Sequence, residues 1–260
     1  MTMPFAQGIH YSFHQPREID PSRPPLILIH GAGGSFLSWH PYLRRLAGET
    51  VYAPDLPGHG ESEGNGRHSI EEYADDIACF MENVSIESAV IAGLSMGSGV
   101  ALTLALRYPQ KVWSLALLGS GAKLRVARST LNTIGDPESF AAAVENVNRA
   151  CFSPYASQDL IALSKKSMLN TGPNILLGDY LACDQFDVTA QLAQIRIPTL
   201  ILCGAEDMMT PPKHSQYLKD NIRNSQLHII ERSGHMVTLE QPDAVAKLLK
   251  QFLDEVPPLS

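Results

Sequence analysis

The stretch Ser88-Ala89-Val90-Ile91-Ala92-Gly93-Leu94-Ser95-Met96-Gly97-Ser98-Gly99-Val100 decides how this chain is read. It opens on an apolar run of strand character, passes through Gly-x-Ser-x-Gly at 93–97 and continues into a long apolar stretch from Val100 to Leu106. A serine between two glycines at a strand-to-helix junction is what a nucleophile elbow requires. Such a turn holds its central residue in strained backbone geometry, and side chains two positions to either side would collide. Glycine at 93 and 97 removes those collisions. The Ser95 hydroxyl is thereby exposed, and the N–H groups that follow lie at a helix N-terminus, placed to stabilise an oxyanion. Glycine and serine also make ordinary turns, so the meaning of the pentapeptide rests on what stands elsewhere in the chain.

The chain has 260 residues, 44% of them hydrophobic and 18% charged, which suits one large α/β domain and excludes a disordered protein. The formal net charge of -7 is scattered along the chain, which argues against a nucleic-acid partner. Cys79, Cys151, Cys183 and Cys203 show no C-x-x-C pairing and no histidine at ligand spacing; each lies in an apolar context and reads as a small buried hydrophobe. Met1 to Phe13 lacks a basic segment followed by an apolar core, so no secretory leader is expected. No window offers about 18 uninterrupted apolar residues, so no membrane span is expected. A reducing, cytoplasmic location is the default expectation, as a monomer or homodimer.

Outward from the elbow, short β-rich runs recur at Leu26–Ile29, Val51–Ala53, Ala89–Ala92, Leu115–Leu118, Thr199–Leu202 and Leu227–Ile230. Nearly all are continuous rather than alternating, as parallel strands buried on both faces require. Ile9–His14 alternates and reads as an antiparallel edge strand. Ser69-Ile70-Glu71-Glu72 is a capping box, followed at helical spacing by Tyr73, Ala74, Ile77, Ala78 and Met81. Pro242 stands where the first turn of the last helix belongs. Strands alternating with helices predict a mostly parallel twisted sheet with helices on both faces. Between about Gly121 and Ile195 the alternation stops, and helices are expected from Asp136-Pro137, near Asp159–Leu169 and near Ile175–Ala182. The expected organisation is a core of residues 1–120 and 191–260 and a helical cap of residues 121–190.

Active sites of open α/β sheets lie at the carboxyl ends of the strands, and four such ends here carry residues suited to acyl chemistry. They are His30-Gly31-Ala32-Gly33-Gly34-Ser35, Asp55-Leu56-Pro57-Gly58-His59-Gly60-Glu61-Ser62, Gly204-Ala205-Glu206-Asp207 and Ser233-Gly234-His235-Met236. Together with the elbow they resemble the α/β-hydrolase superfamily, in its serine-nucleophile branch, over nearly the whole chain. The order Ser95, Asp207, His235 is that branch's order of nucleophile, acid and histidine. The resemblance implies that Ser95 attacks, that His235 serves as base and then acid, and that Asp207 orients the imidazole and balances its charge. It also implies an oxyanion hole made by the backbone N–H groups of Met96 and Ala32. Such chemistry needs no metal and no organic cofactor. Gly31-x-Gly33 begins like a dinucleotide fingerprint, but the sixth position is Phe36 and the fingerprint fails.

Around these positions the readings divide. Gly33, Trp39 and Met236 are candidates for the substrate pocket, although Trp39 serves equally well as packing for the first helix. Met96, Met208, Met209 and Met236 flank catalytic positions and read either as a soft pocket floor or as ordinary core filler. Glu206 neighbours Asp207 but points elsewhere in a turn; Asp184 and Asp187 suit helix ends, and His59 suits a structural loop. Arg125, Arg128, Arg149, Lys165 and Lys166 are candidates to bind a substrate carboxylate or are solvated helix faces. Tyr155, Tyr180, Phe152 and Phe186 are candidates to close an apolar pocket.

Within the superfamily, serine at 95 argues against the dehalogenases and epoxide hydrolases, which use aspartate there. The absence of tryptophan after His235 lowers carbon–carbon bond hydrolysis, and the absence of proline in His30–Gly34 lowers perhydrolysis. An arginine typical of menaquinone-pathway synthases is also missing after the elbow. Hydrolysis of a small carboxylic ester is the favoured reading, with a lactone or thioester as the alternative substrate. Asp207 to Pro212 and Gly234 to Pro242 are similar to small bacterial carboxylesterases and 3-oxoadipate enol-lactonases. A small-molecule receptor built on the same fold is the alternative from a different class.

Overall fold

The protein is described by a computed structural model covering residues 4–258; residues 1–3 and 259–260, the outer ends of the expected core segments 1–120 and 191–260, lie outside the described residues. One sheet holds β1 (Phe5–Ala6), β2 (Ile9–His14), β3 (Leu26–Ile29), β4 (Val51–Pro54), β5 (Ala89–Leu94), β6 (Val112–Leu118), β7 (Thr199–Gly204) and β8 (Ser225–Ile230). Their order across the sheet is β1-β2-β4-β3-β5-β6-β7-β8. Every pair from β4 to β8 is parallel. β2 runs antiparallel to β4, as its alternating pattern implies. It is not the edge, however, because the short β1 pairs outside it.

The continuous apolar character of the inner strands follows from their burial on both faces. Ile27, Ile29, Ile91, Leu115, Leu117 and Ile201 pack to one side of the sheet. Their sequence neighbours Leu26, Leu28, Val90, Ala92, Leu118 and Leu202 pack to the other. The α-helices among the described residues are α1 (Pro41–Arg44), α2 (Ile70–Asn83), α3 (Met96–Arg107), α4 (Arg128–Ile134), α5 (Phe140–Ala150), α6 (Gln158–Thr171), α7 (Pro173–Gln185), α8 (Pro212–Asn221), α9 (Val237–Glu240) and α10 (Pro242–Glu255). α2, α3 and α8 contribute to the first face, α1 and α10 to the second. Ser69 caps α2 by accepting from the Glu72 N–H, while the Glu72 carboxylate returns to the Ser69 hydroxyl and the His68 N–H. Pro242 occupies the first turn of α10.

Between β6 and β7 the chain makes the helical insertion α4–α7, whose own apolar core includes Ile134, Phe140, Val144, Phe152, Leu176 and Tyr180. α4 has no counterpart in the sequence reading, since Arg128-Ser129-Thr130-Leu131-Asn132-Thr133-Ile134 carries too few apolar residues to show a helical stripe. α5 starts at Phe140 rather than at Asp136, because Asp136–Ser139 forms a turn closed onto Thr133 and Asp136 by the Ser139 hydroxyl. An antiparallel bridge between Lys123 and Asp187 ties the two ends of the insertion together. Cys151, Cys183 and Cys203 are buried, but Cys79 is exposed on the outer side of α2, contrary to the reading of all four as buried.

The tightest point of the fold is where β5 becomes α3. Ser95 has φ 56° and ψ -118°, a conformation that side chains rarely adopt. A Cβ at Gly93 would lie 2.1 Å from the Gly97 carbonyl oxygen, and one at Gly97 would lie 2.2 Å from the Ile29 carbonyl oxygen. Gly97→Ala is therefore expected to cost about 3 kcal/mol or more, because the new methyl group meets backbone that cannot swing aside. Gly99→Ala, whose Cβ would first meet Leu124 at 3.4 Å, is expected to be neutral or mildly stabilising in the same helix. Urea denaturation of the two variants measures the contrast, and equal stabilities would contradict it.

Candidate active site

The carboxyl ends of β3, β5, β6 and β7 and the insertion above them enclose a cavity of about 550 Å³. Ala32, Gly33, Ser95, His235 and Met236 all line it. The strands converge these residues because each follows a strand of the parallel sheet, so each loop opens at the same edge. Leu37, Leu160, Leu163, Met168, Met209 and Leu239 are among the apolar side chains of the remaining wall.

Asp207 and His235 are joined. His235 Nδ1 donates to Asp207 Oδ2 at 2.9 Å, and the Thr210 hydroxyl donates to the same oxygen at 2.8 Å. The other oxygen, Oδ1, accepts the N–H groups of Met209 and Thr210 at 2.9 and 2.8 Å. Burial by itself would raise the Asp207 carboxyl. The charge and hydrogen bond of His235, together with the Thr210 N–H and hydroxyl, outweigh it and hold the group below the ordinary carboxylate range. With Nδ1 committed to the carboxylate, His235 Nε2 has no partner among the described residues, and neither has Ser95 Oγ. Both open on the cavity.

The two proposed oxyanion donors are likewise free. Among the described residues, neither the Ala32 nor the Met96 N–H donates to a protein acceptor, whereas the Gly33 N–H is taken by Asp179 and the Gly34 N–H by the Gly31 carbonyl. Met96 is the first residue of α3, where the helix leaves N–H groups unpaired.

Other candidates are placed differently from one another. Trp39 is fully buried in the core cluster it shares with α10 and does not line the cavity; Leu37, Ser38 and Pro41 stand there instead. Met209 and Met236 line the cavity, Met96 is buried in the core and Met208 is exposed to solvent. Of the four aromatic candidates only Tyr180 reaches the cavity: Phe152 and Phe186 are in apolar cores, and Tyr155 is exposed beneath Arg232. Of the cationic candidates only Arg125 reaches it, with its guanidinium bonded to the Asp184 carbonyl and close to the Asp187 carboxylate. Lys123, Arg44 and His214 line the cavity without having been singled out in the sequence. Glu206 accepts the Ser233 N–H, and Asp187 accepts the Thr189 N–H that follows it, both structural tasks.

Two buried histidines outside the cavity lining differ in charge state. His30 Nδ1 faces the Gly31 carbonyl at 2.8 Å and its Nε2 faces the Leu56 N–H at 2.9 Å, so the ring is neutral with its proton on Nδ1. Burial, reinforced by the neighbouring His59, pushes it down to about 4. His59 meets acceptors on both sides, the Pro57 carbonyl at 3.1 Å and Asp179 Oδ2 at 2.8 Å, and so holds both protons. Burial opposes that charge, but Asp179 outweighs it and raises His59 above the ordinary imidazole value.

A model of the alpha/beta hydrolase family matches residues 26–248. The chain belongs to this family. A pimeloyl-[acyl-carrier protein] methyl ester esterase of Neisseria meningitidis serogroup C / serotype 2a is 31% identical over 248 residues, spanning 88% of this chain and 93% of that one. A 2-hydroxymuconate semialdehyde hydrolase of Pseudomonas sp. strain CF600 is 29% identical over 250 residues, spanning 89% and 87%. Among solved structures, the enol-lactonase of Burkholderia xenovorans LB400 superposes with a TM-score of 0.87 at 23% identity, over 96% of this chain and 98% of that one, which is a likeness of fold. In this α/β hydrolase no described helix is long and apolar enough to cross a membrane.

The sequence reading passed over Thr210 and Asp179. Thr210 carries a local signal, a hydroxyl three residues after an aspartate in a turn. Asp179 carries a weaker one, a single carboxylate inside the apolar run from Ile175 to Cys183. The neutral His30 also makes this α/β hydrolase acid-sensitive. The unfolded histidine takes its proton near 6.5 and the folded one only near 4, so acidification over that interval draws the equilibrium toward the unfolded chain. The loss is on the order of 3 kcal/mol for such an interval. His30→Asn is expected to lose less stability than the parent between pH 7 and 4.5 in denaturant titrations, and parallel pH curves would contradict this.

Proposed function

We propose that the protein is a serine hydrolase that cleaves a small carboxylic ester through an acyl-enzyme. The observation that carries the reading is the Asp207–His235 pair, bonded at 2.9 Å, opening into the same cavity as the strained Ser95. In the first half-reaction, His235 Nε2 takes the proton of Ser95 Oγ as the oxygen attacks the ester carbonyl. The developing oxyanion accepts from the Ala32 and Met96 N–H groups, and the alcohol leaves with the proton from His235. In the second, water activated by the same imidazole releases the acid and restores Ser95. Asp207, held ionised by four donors, balances the imidazolium formed in each half-reaction.

The apolar wall favours an uncharged acyl chain of modest length, and the volume is in the range that small-molecule sites occupy. Arg125 is the one nominated cation that lines the cavity, and it already has protein partners, as have Lys123 and Arg44 beside it, so a carboxylated substrate such as an enol-lactone meets no unpartnered lysine or arginine there among the described residues. The relative that is a pimeloyl-[acyl-carrier protein] methyl ester esterase supports ester hydrolysis.

Ser95→Ala is expected to abolish hydrolysis of p-nitrophenyl butyrate and labelling by a fluorophosphonate probe. Asp207→Asn is expected to lower kcat by about 10,000-fold while leaving the fold intact, because the imidazole loses its orienting charge. Wild-type turnover in the serine variant would overturn the assignment.

A further inference from the structure

Gly31–Gly34 forms a turn closed by the Gly34 N–H on the Gly31 carbonyl at 3.1 Å, with Ala32 and Gly33 at its centre. Gly33 has φ 63°, the sign a type II turn requires at its third position. The Ala32 N–H belongs to the first peptide of this turn. It points opposite to the Gly31 carbonyl, which is held from behind by His30 Nδ1 at 2.8 Å.

Apart from the turn's own hydrogen bond, the second half of the turn is held by the insertion. The Gly33 N–H donates to Asp179 Oδ2 at 2.8 Å, and the Gly33 carbonyl accepts from the Thr171 hydroxyl at 3.0 Å. Between these bonds, Leu176 and Met168 close over the Gly33 Cα so tightly that a Cβ would lie 2.7 and 3.1 Å from them. All four residues come from α6 and α7. Asp179 is completely buried and is itself clamped, with Tyr73 donating to Oδ1 at 2.5 Å and His59 to Oδ2 at 2.8 Å. A buried carboxylate is costly unless paired and fully hydrogen-bonded, and here the imidazolium of His59 supplies the pairing. If the Ala32–Gly33 peptide flipped, the Ala32 carbonyl would replace the Gly33 N–H in front of this carboxylate, and the two would repel. Asp179 thus selects one peptide orientation at the centre of the turn.

We infer that Asp179 and Thr171 are positioning residues for the oxyanion hole, so that seating of the helical insertion aims the Ala32 N–H at the reacting carbonyl. The inference rests on the serine-hydrolase reading proposed above. Its consequence is that the insertion sets kcat as well as enclosing substrate. Neither residue lines the cavity, so neither is expected to affect KM directly.

Steady-state kinetics on p-nitrophenyl butyrate with Thr171→Val, Thr171→Ser and Asp179→Asn test it. Thr171→Val removes one hydroxyl at nearly constant volume and is expected to lower kcat about tenfold, with KM within twofold, since small misplacements of a catalytic group are costly. Thr171→Ser restores the hydroxyl and is expected to regain most of kcat. Asp179→Asn is expected to lose about 100-fold or more in kcat, approaching the loss of an oxyanion donor. The rate of fluorophosphonate labelling should fall in parallel, because it passes through a similar oxyanion. Should Asp179→Asn fail to fold, the Thr171 pair decides. Equal kcat in Thr171→Val and wild type, a loss carried wholly by KM, or no rescue by serine overturns the inference. Retained activity in Ser95→Ala instead overturns the underlying reading, so the two failures are distinguishable.

Discussion

The approach of α3 to the ends of β3 and β5 is the constraint on which the remainder of the molecule depends. Ser95 turns the chain with a positive φ, at a cost of the order of 1–3 kcal/mol for a residue other than glycine. That conformation persists because its surroundings over-determine it. β5 is buried on both faces at the middle of the sheet, the Ser95 N–H bonds to the Leu118 carbonyl at 2.9 Å, and the Ser98 hydroxyl bonds to the Ser95 carbonyl at 2.6 Å. The same closeness lifts the serine oxygen off the sheet edge and leaves the Met96 N–H unpaired beside it. Backbone packing and the candidate chemistry therefore have one cause.

The electrostatics behind the cavity show how burial and hydrogen-bond partners decide proton states. His30, His59 and His235 are all buried, yet each faces a different set of neighbours. His30 has one donor and one acceptor and stays neutral; His59 has two acceptors and carries charge; His235 has one carboxylate and one open nitrogen. Only the last arrangement leaves a nitrogen able to take a proton from a ligand. The buried thiols lining the cavity play no comparable part, since burial pushes Cys151 up to about 12 and Cys183 higher still.

The helical insertion reaches the core by directed polar contacts as well as by apolar packing. Beside the hold on Gly33, the Glu240 carboxylate accepts from both the Gly234 N–H at 2.8 Å and the Ser153 N–H at 2.9 Å. The Met236 N–H donates to the Cys151 carbonyl at 3.1 Å. The loops bearing Ala32 and His235 are thus each tied to the insertion, on opposite sides of Ser95. An insertion bonded in this way has little freedom to shift without disturbing both.

By itself the sequence determined the sheet, its parallel sense and the elbow, because these rest on local rules. Strands buried on both faces must be continuously apolar, and only glycine tolerates contacts as close as those at Gly93 and Gly97. The chain order of Ser95, Asp207 and His235 was legible for the same reason, since each follows its own strand. Only the tertiary structure decided the matters that depend on residues far apart. Trp39 is buried in the core cluster to which α10 also contributes, and β2 is an inner strand because Phe5–Ala6 pairs outside it. Asp179 meets Gly33 across 146 positions of chain, His59 across 120 and Tyr73 across 106. No period, cap or turn rule encodes a contact of that separation. It arises only when the packing of α7 against the sheet edge carries a lone carboxylate into a ring of donors.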